Sequence, residues 1–389
     1  MTWDIFCNVI DNYGDIGVAW RLARQLATEY ALPVRLWVDD LPVFARIWPE
    51  IDPARDAQVC RGVEVRRWGA PFPDVAPAGV VIEAFGCELP AAYLAAMARQ
   101  TPFPVWINLE YLSAEPWVRS HHGLPSPHPR LPLTKYFFFP GYEPGTGGVL
   151  AERDLIARRA AFLRDGIEPF WASVGVPARV PGELRVSLFA YENPALPALL
   201  TAWAQGARPV TCLVPESKVL AQVAAWLAAP DLHAPAVYRR GRLTLRLLPF
   251  MDQDAYDRLL WACDVNFVRG EDSCVRAQWA ARPLVWHVYP QADDAHHAKL
   301  EALLGLYSRG LSDAAAQALA GMWRTWNGAS ATPDGARAWY RLDTFLPELE
   351  RHAEAWCGRL TQAGNLAANL VAFVKTHAGL ARDDGLLLK

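Results

Sequence analysis

The chain has 389 residues, 52% hydrophobic and 20% charged, with a formal net charge of −3. That length exceeds one ordinary core and points to two domains, and the composition excludes a disordered chain. The near-neutral balance excludes a general nucleic-acid or membrane-surface binder, and no apolar run reaches the ~18 residues of a membrane span.

In chain order, apolar strand candidates fall at residues 5–10, 34–38, 63–68, 80–84, 105–109 and 136–139, with helical patterns at 18–30 and 91–99. Apolar strands interleaved with helices imply a parallel sheet covered on both faces. A helix around 150–165 leads into "EPFWASVGVPARVPGEL", whose Pro and Gly content reads as a linker. The alternation then restarts. Strands are expected at 184–189, 209–214, 243–248, 265–268 and 284–288, and helices at 196–204, 218–227, 255–262, 275–280 and 295–304. From Ser312 onward the pattern is mostly helical. The fold class is therefore α/β, with two successive Rossmann-like domains: 1–180 and 181–357. A C-terminal helix at about 358–389 is expected to pack back on the first domain. Ligands of such sheets bind beyond the carboxyl ends of the strands. Two such domains facing each other would form a cleft.

The seven cysteines are scattered, without a C-x-x-C, and read as buried free thiols in a reducing compartment. The chain opens on a strand-like segment, so no secretory signal is expected and a cytoplasmic location is. Most of the 17 Trp should be core, with some left for sugar or base stacking.

Two turns are chemically dense. "DNYGDIG", Asp11 to Gly17, separates the first strand from the first helix. Gly14 and Gly17 permit close approach. A loop built only for phosphate would use the helix N-terminus and avoid carboxylates. Asp11 and Asp15 therefore suggest a proton acceptor or a group holding a cation. The plainer alternative makes Asp15 an N-cap and Asp11 a turn residue. The second turn, in "FVRGEDSCVRAQWA", repeats this logic. Arg269, Gly270, Glu271, Asp272 and Ser273 join a strand to a helix that Ser273 could cap. Arg269, the hydroxyl and the helix N-terminus can hold a diphosphate. The alternative is a capped helix with surface charges.

Phe189, Tyr191, Phe250, Gln253 and Tyr289 follow other strands of the second half. Aromatics at strand exits can stack a base whose edge a Gln reads. Asp252-Gln253-Asp254 is a D-x-D, which some glycosyltransferases use for a divalent ion, but it falls where a helix cap is expected. Walker, zincin, G-x-S-x-G and G-x-G-x-x-G patterns are missing.

Taken together, "WDIFCNVIDNYGDIGVAWRLARQL", "LWVDDL", "WINLEYLSAEPWV", "HGLPSPHP", "FFFPGY", "SLFAYEN" and "VRGEDSCVRAQWA" resemble the EarP family, from residue 3 to about 357. These are protein-arginine rhamnosyltransferases acting on translation elongation factor P. The resemblance implies a GT-B fold, TDP-β-L-rhamnose as donor, no metal or cofactor, elongation factor P as partner, and inversion at the anomeric carbon. It implies Asp15 as general base, with Asp11 and Glu271 as further essential acids. Phe189, Phe250 and Gln253 then match positions around the thymine. Tyr191, Arg269, Asp272, Ser273 and Tyr289 match positions around ribose and phosphates. Asn12, Tyr13, Gly14 and Gly270, lying in the same turns, are included in the donor site. Cys274 stands where relatives carry Phe. Two other functions remain open from the residues alone: a GT-B enzyme with a small-molecule or lipid acceptor, and a non-catalytic nucleotide-sugar or translation-factor binding protein.

Overall fold

The structure, a computed structural model, describes residues 1–10, 13–291, 294–330 and 334–383. Two compact units divide the chain: Met1–Arg153 with the C-terminal segment from Leu360, and Asp154–Arg359.

The first unit is built on eight strands: β1 Trp3–Cys7, β2 Val34–Val38, β3 Ala57–Cys60, β4 Val63–Arg67, β5 Val80–Ala84, β6 Val105–Leu109, β7 Pro125–Pro127 and β8 Thr134–Phe138. Their order is β3-β4-β2-β1-β5-β6-β8-β7. Pairing is parallel except at the two edges, where β3 and β7 run antiparallel to β4 and β8. Every residue of β1, β5 and β6 is buried, which is why these segments read as mostly apolar runs, broken by Asp4, Glu83 and Asn108. Asp4 is the polar exception in β1. Its carboxylate takes two hydrogen bonds from Arg35, its register partner on β2, both 2.6 Å long. The C-terminal helix Leu366–Asp383 belongs to this unit. Leu366 N–H donates to Val149 carbonyl at 3.2 Å, and Phe373 meets Phe138 edge-on at 5.5 Å.

The second unit carries β9 Leu184–Leu188, β10 Val210–Pro215, β11 Ala236–Arg240, β12 Leu243–Leu248, β13 Val265–Arg269 and β14 Leu284–His287. The order is β11-β12-β10-β9-β13-β14, with only β11 antiparallel. Each sheet thus reverses direction at a first strand: β1 lies between β2 and β5, and β9 between β10 and β13. At such switch points the connections leave to opposite faces and open a crevice at the carboxyl ends.

Three expectations are corrected. First, residues 154–180 pack with the second unit, not the first. They form helices Leu155–Ala161 and Ile167–Ser173 joined by a π-helical turn, Phe162–Gly166. Phe170, Trp171 and Val176 enter one core with Leu213, Leu248 and Leu259. The supposed linker is therefore held by large apolar side chains, and burial outweighs its Pro and Gly content. Second, β1 ends at Cys7 rather than residue 10, and the first helix, Gly14–Tyr30, starts before residue 18. Third, Gly14 and Gly17 are helical rather than turn residues.

All seven cysteines are free and buried. All the tryptophans are buried except Trp68, Trp117 and Trp226. Among the described residues no helix is long and apolar enough to cross a membrane.

Candidate active site

In the first unit, residues beyond β1, β5 and β6 meet at the switch point. Asp15 sits in the first turn of the Gly14–Tyr30 helix and is 1% exposed. Its Oδ2 accepts the backbone N–H of Ile10 at 2.9 Å, and its Oδ1 accepts the hydroxyl of Tyr111 at 3.0 Å. Asp15 is not the N-cap. That position is Tyr13, whose side chain makes no capping bond. Ile10 lies beyond the end of β1 at Cys7, and its N–H bonds to the carboxylate. Tyr111 is itself held by Phe85, whose ring stacks on it at 4.5 Å with an 18° tilt. Tyr13 faces Arg46, with the guanidinium 5.9 Å from the ring centre. Asp11 and Asn12, both expected in this site, lie outside the described residues.

In the second unit, Phe189 and Tyr191 follow β9, Phe250 and Gln253 follow β12, Arg269 ends β13, and Tyr289 follows β14. Arg269 is 6% exposed, and its guanidinium carbon lies 4.6 Å from the ring centres of both Phe189 and Tyr191. A cation between two aromatic faces is favoured by the ring quadrupoles and fixed in direction. Gly270 then turns the chain with φ +62°, where a Cβ would be strained. Its N–H bonds to His287 carbonyl at 3.0 Å, and its carbonyl accepts Trp286 Nε1–H at 2.7 Å. The turn is thereby tied to β14. The helix that follows is Asp272–Trp279, with Glu271 at the N-cap. Ser273 does not cap it. Its hydroxyl accepts the N–H of Arg269 at 3.1 Å and donates to the Arg269 carbonyl. The hydroxyl closes the turn because that carbonyl lies within its own reach.

Gln253 Nε2 donates to Asp272 Oδ2 at 3.3 Å, which joins the β12 and β13 exits. Phe189 packs on Tyr256 at 5.4 Å, and Tyr191 on Tyr289 at 5.6 Å. Phe189, Tyr191, Arg269 and Tyr289 are therefore brought together, with Gln253 and Asp272 paired beside them, while Phe250 follows β12 and Glu271 precedes the helix. Arg276 and Asp257 form a bidentate ion pair in which both side chains are at most 2% exposed. That pair fixes the Asp272–Trp279 helix to the Gln253–Ala262 helix.

The D-x-D resolves toward its structural alternative: Asp252 is the N-cap of the Gln253–Ala262 helix and accepts Ala255 N–H at 2.7 Å. A different group could hold a metal ion. Asp294, His296 and His297 bring ligand atoms within 4.8 Å of one another. Both rings are already engaged, His296 Nδ1 with Gln291 N–H at 3.2 Å and His297 Nε2 with Asn327 carbonyl at 3.1 Å.

Two residues that sequence reasoning missed belong to these clusters. Tyr111 lies inside a quoted family block, "WINLEYLSAEPWV", but carried no role. His287 follows an apolar run and reads as core. It is 6% exposed and packs edge-on against Tyr191 at 5.2 Å. Burial, then Arg269 and His296, push its pKa down to about 3, so it is neutral.

The geometry meets known proteins here. The family model for the elongation-factor P rhamnosyltransferase EarP matches residues 3–375. This chain belongs to the EarP family. A protein-arginine rhamnosyltransferase of Pseudomonas putida is 52% identical over 376 residues, 96% of this chain and 98% of that protein. One from Neisseria meningitidis is 33% identical over 392 residues, covering 96% and 97%. A solved structure described as the basis for EarP-mediated arginine glycosylation of translation elongation factor EF-P aligns with a TM-score of 0.68 at 39% identity. It covers 96% of this chain and 99% of that one. A UDP-GlcNAc 2-epimerase of Neisseria meningitidis aligns at TM-score 0.50 and 9% identity, covering 97% and 100%, which shows the fold alone. EarP membership and the two Rossmann-like units make this chain a glycosyltransferase of the GT-B class.

Proposed function

We propose that this protein transfers rhamnose from TDP-β-L-rhamnose to an arginine side chain of elongation factor P, with inversion and without a metal ion or other cofactor. One observation carries the donor half: the Arg269 guanidinium between Phe189 and Tyr191, beside the turn into the Asp272–Trp279 helix. A cation so placed suits a diphosphate, and the flanking rings suit a base. The acceptor half rests on relatives named protein-arginine rhamnosyltransferases.

In this reading the second unit binds the nucleotide sugar. Phe189, Phe250 and Gln253 take the thymine. Tyr191, Arg269, Gly270, Asp272, Ser273 and Tyr289 take ribose and phosphates. Asn12, Tyr13 and Gly14 of the first unit complete the donor site. Inversion is a single displacement: the bond from the guanidinium nitrogen to the anomeric carbon forms as the bond to the diphosphate oxygen breaks. The guanidinium is a poor nucleophile, because its lone pairs are delocalised and its pKa is above ~12. Asp15 receives its proton as the new bond forms. Asp11 or Glu271 pairs with the remaining N–H groups and localises the charge. Arg269 and the helix N-terminus stabilise the departing diphosphate, the work a metal does elsewhere. The location consistent with this partner is the cytoplasm.

The test is the intact mass of elongation factor P after incubation with this protein and TDP-β-L-rhamnose in EDTA. A gain of about 146 Da, one deoxyhexose, on an arginine is expected. No gain while TDP still binds overturns the acceptor. A gain only without EDTA overturns metal independence.

A further inference from the structure

We propose that His287 is a second ligand of the donor's diphosphate, acting through Nδ1 beside Nη1 of Arg269. This rests on the donor-site reading above and adds to it a residue that neither the family resemblance nor the sequence pattern supplies.

Arg269 and His287 are register partners on the adjacent parallel strands β13 and β14. Their side chains therefore leave the sheet side by side. Each residue is 6% exposed. Arg269 Nη1 and His287 Nδ1 are both buried, and neither has a hydrogen-bond partner. Arg269 also has no ion-pair partner among the described residues. A buried donor left unpaired is costly, and a buried unpaired cation more so. Two such atoms on neighbouring strand ends, at the switch point of a Rossmann-like sheet, are readily explained by a ligand that satisfies both.

The chemistry of the pair specifies that ligand. Arg269 brings one positive charge and a planar fork of N–H groups. His287 brings none. Burial, Arg269 and His296 hold its ring neutral, near pKa 3. The groups facing it are Arg269, Tyr191, His296 and the indole of Trp326, whose ring centre is 6.0 Å away. With its proton on Nδ1, the imidazole is a donor that adds no charge. One cation and one neutral donor match an oxyanion that carries several acceptor oxygens. Tyr191 packs on both residues, and Tyr289, which packs on Tyr191, is 41% exposed. Both tyrosines are in the donor site already.

The experiment is calorimetric titration of TDP into the full chain and three variants. His287→Asn sets an amide nitrogen near the Nδ1 position. His287→Gln sets it near Nε2. His287→Phe keeps the ring volume and removes both nitrogens. We expect His287→Asn to bind TDP within about threefold of the wild type, and His287→Gln and His287→Phe to bind at least about tenfold more weakly. A packing role gives the opposite order, with Phe closest to wild type and Asn weakest. That order, or four equal affinities, overturns the proposal. If the variants fail to fold, the wild type still decides. On adding TDP, the His287 Nδ1–H resonance in a ¹⁵N imidazole spectrum should shift and become protected from exchange. An unmoved signal refutes the contact. A wild-type chain that binds no TDP overturns the donor-site reading as well, so the two failures are distinguishable.

Discussion

Replacing Asp15 with Asn should separate the chemistry of the first turn from its folding. The carboxylate accepts Ile10 N–H at 2.9 Å and the Tyr111 hydroxyl at 3.0 Å. An amide has one acceptor oxygen and one donor nitrogen. Its oxygen can keep Ile10 N–H while its nitrogen faces Tyr111. That hydroxyl can rotate and accept, because its ring is held by Phe85 but its proton is not. Both contacts survive as neutral hydrogen bonds. The loss is the charge-assisted part, about 1 kcal/mol per bond and about 2 kcal/mol in all. For units of this size that lowers the melting temperature by about 4–8 °C and leaves the chain folded at 25 °C. Turnover behaves differently. A removed general base costs about 10²- to 10⁴-fold in rate, or about 3–5 kcal/mol of barrier.

The assay is the single-turnover rate of rhamnose transfer, alongside TDP affinity by calorimetry and a thermal melt. The expected pattern is a rate at least ~100-fold lower with TDP affinity within about twofold. A rate above a tenth of wild type refutes Asp15 as the base. A parallel loss of TDP binding assigns Asp15 to the donor site instead. Tyr111→Phe refines the result. Without the hydroxyl the carboxylate loses one of the bonds that aim it, so kcat should fall by about tenfold with little change in acceptor KM.

Other consequences are structural. Asp257→Ala leaves Arg276 charged and buried, so it should cost about 3–5 kcal/mol in urea unfolding. Adding Arg276→Met should restore most of that, and strictly additive losses would show the pair is uncoupled. His287 has a folded pKa near 3 against about 6.5 unfolded, so its stabilisation is complete above about pH 6.5 and is lost as pH falls toward 3. By pH 5 that is about 2 kcal/mol, and the stability gap between wild type and His287→Asn should narrow by that amount between pH 7.5 and 5. Gly241 turns between β11 and β12 at φ +56°, and a Cβ there would lie 2.1 Å from Ala204 carbonyl oxygen, so Gly241→Ala should destabilise by more than about 2 kcal/mol. Gly305, within a helix and with nothing in reach of its Cβ, should instead gain about 0.5–1 kcal/mol as Ala, read from the same melts.

What could be read in advance follows from how each feature is encoded. Strands β2, β5 and β6 coincide with their predicted runs, because strands covered on both faces are mostly apolar, with Arg35, Glu83 and Asn108 as the single polar residue of each. The edges β3 and β7 carry no such signal. They are "AQVC", with Val59 76% exposed, and "PSP", and they exist because a hydrogen-bonded neighbour is present. Residues 8–10 read as strand through Val9 and Ile10, yet Ile10 is 67% exposed and its N–H goes to Asp15. The residues that end the ladder early are therefore the ones that hold the carboxylate. The glycines at 14 and 17 suggested a turn, but both are helical. For the donor cluster, counting strand exits was enough to reach Phe189, Tyr191 and Arg269, since the first two follow β9 and Arg269 ends β13. His287 escaped because periodicity weighs a residue by its chain neighbours, and within "PLVWHV" an imidazole looks like filler. Its meaning comes from Arg269 on the next strand, and only the register of β13 against β14 brings the two unsatisfied nitrogens together. The same holds for Tyr111, whose partners Asp15, on the first helix, and Phe85, after β5, lie far from it in the chain. In both units the polar residues that a one-dimensional reading misses are those whose chemistry is set by a partner on another element of the sheet or the helix packed on it.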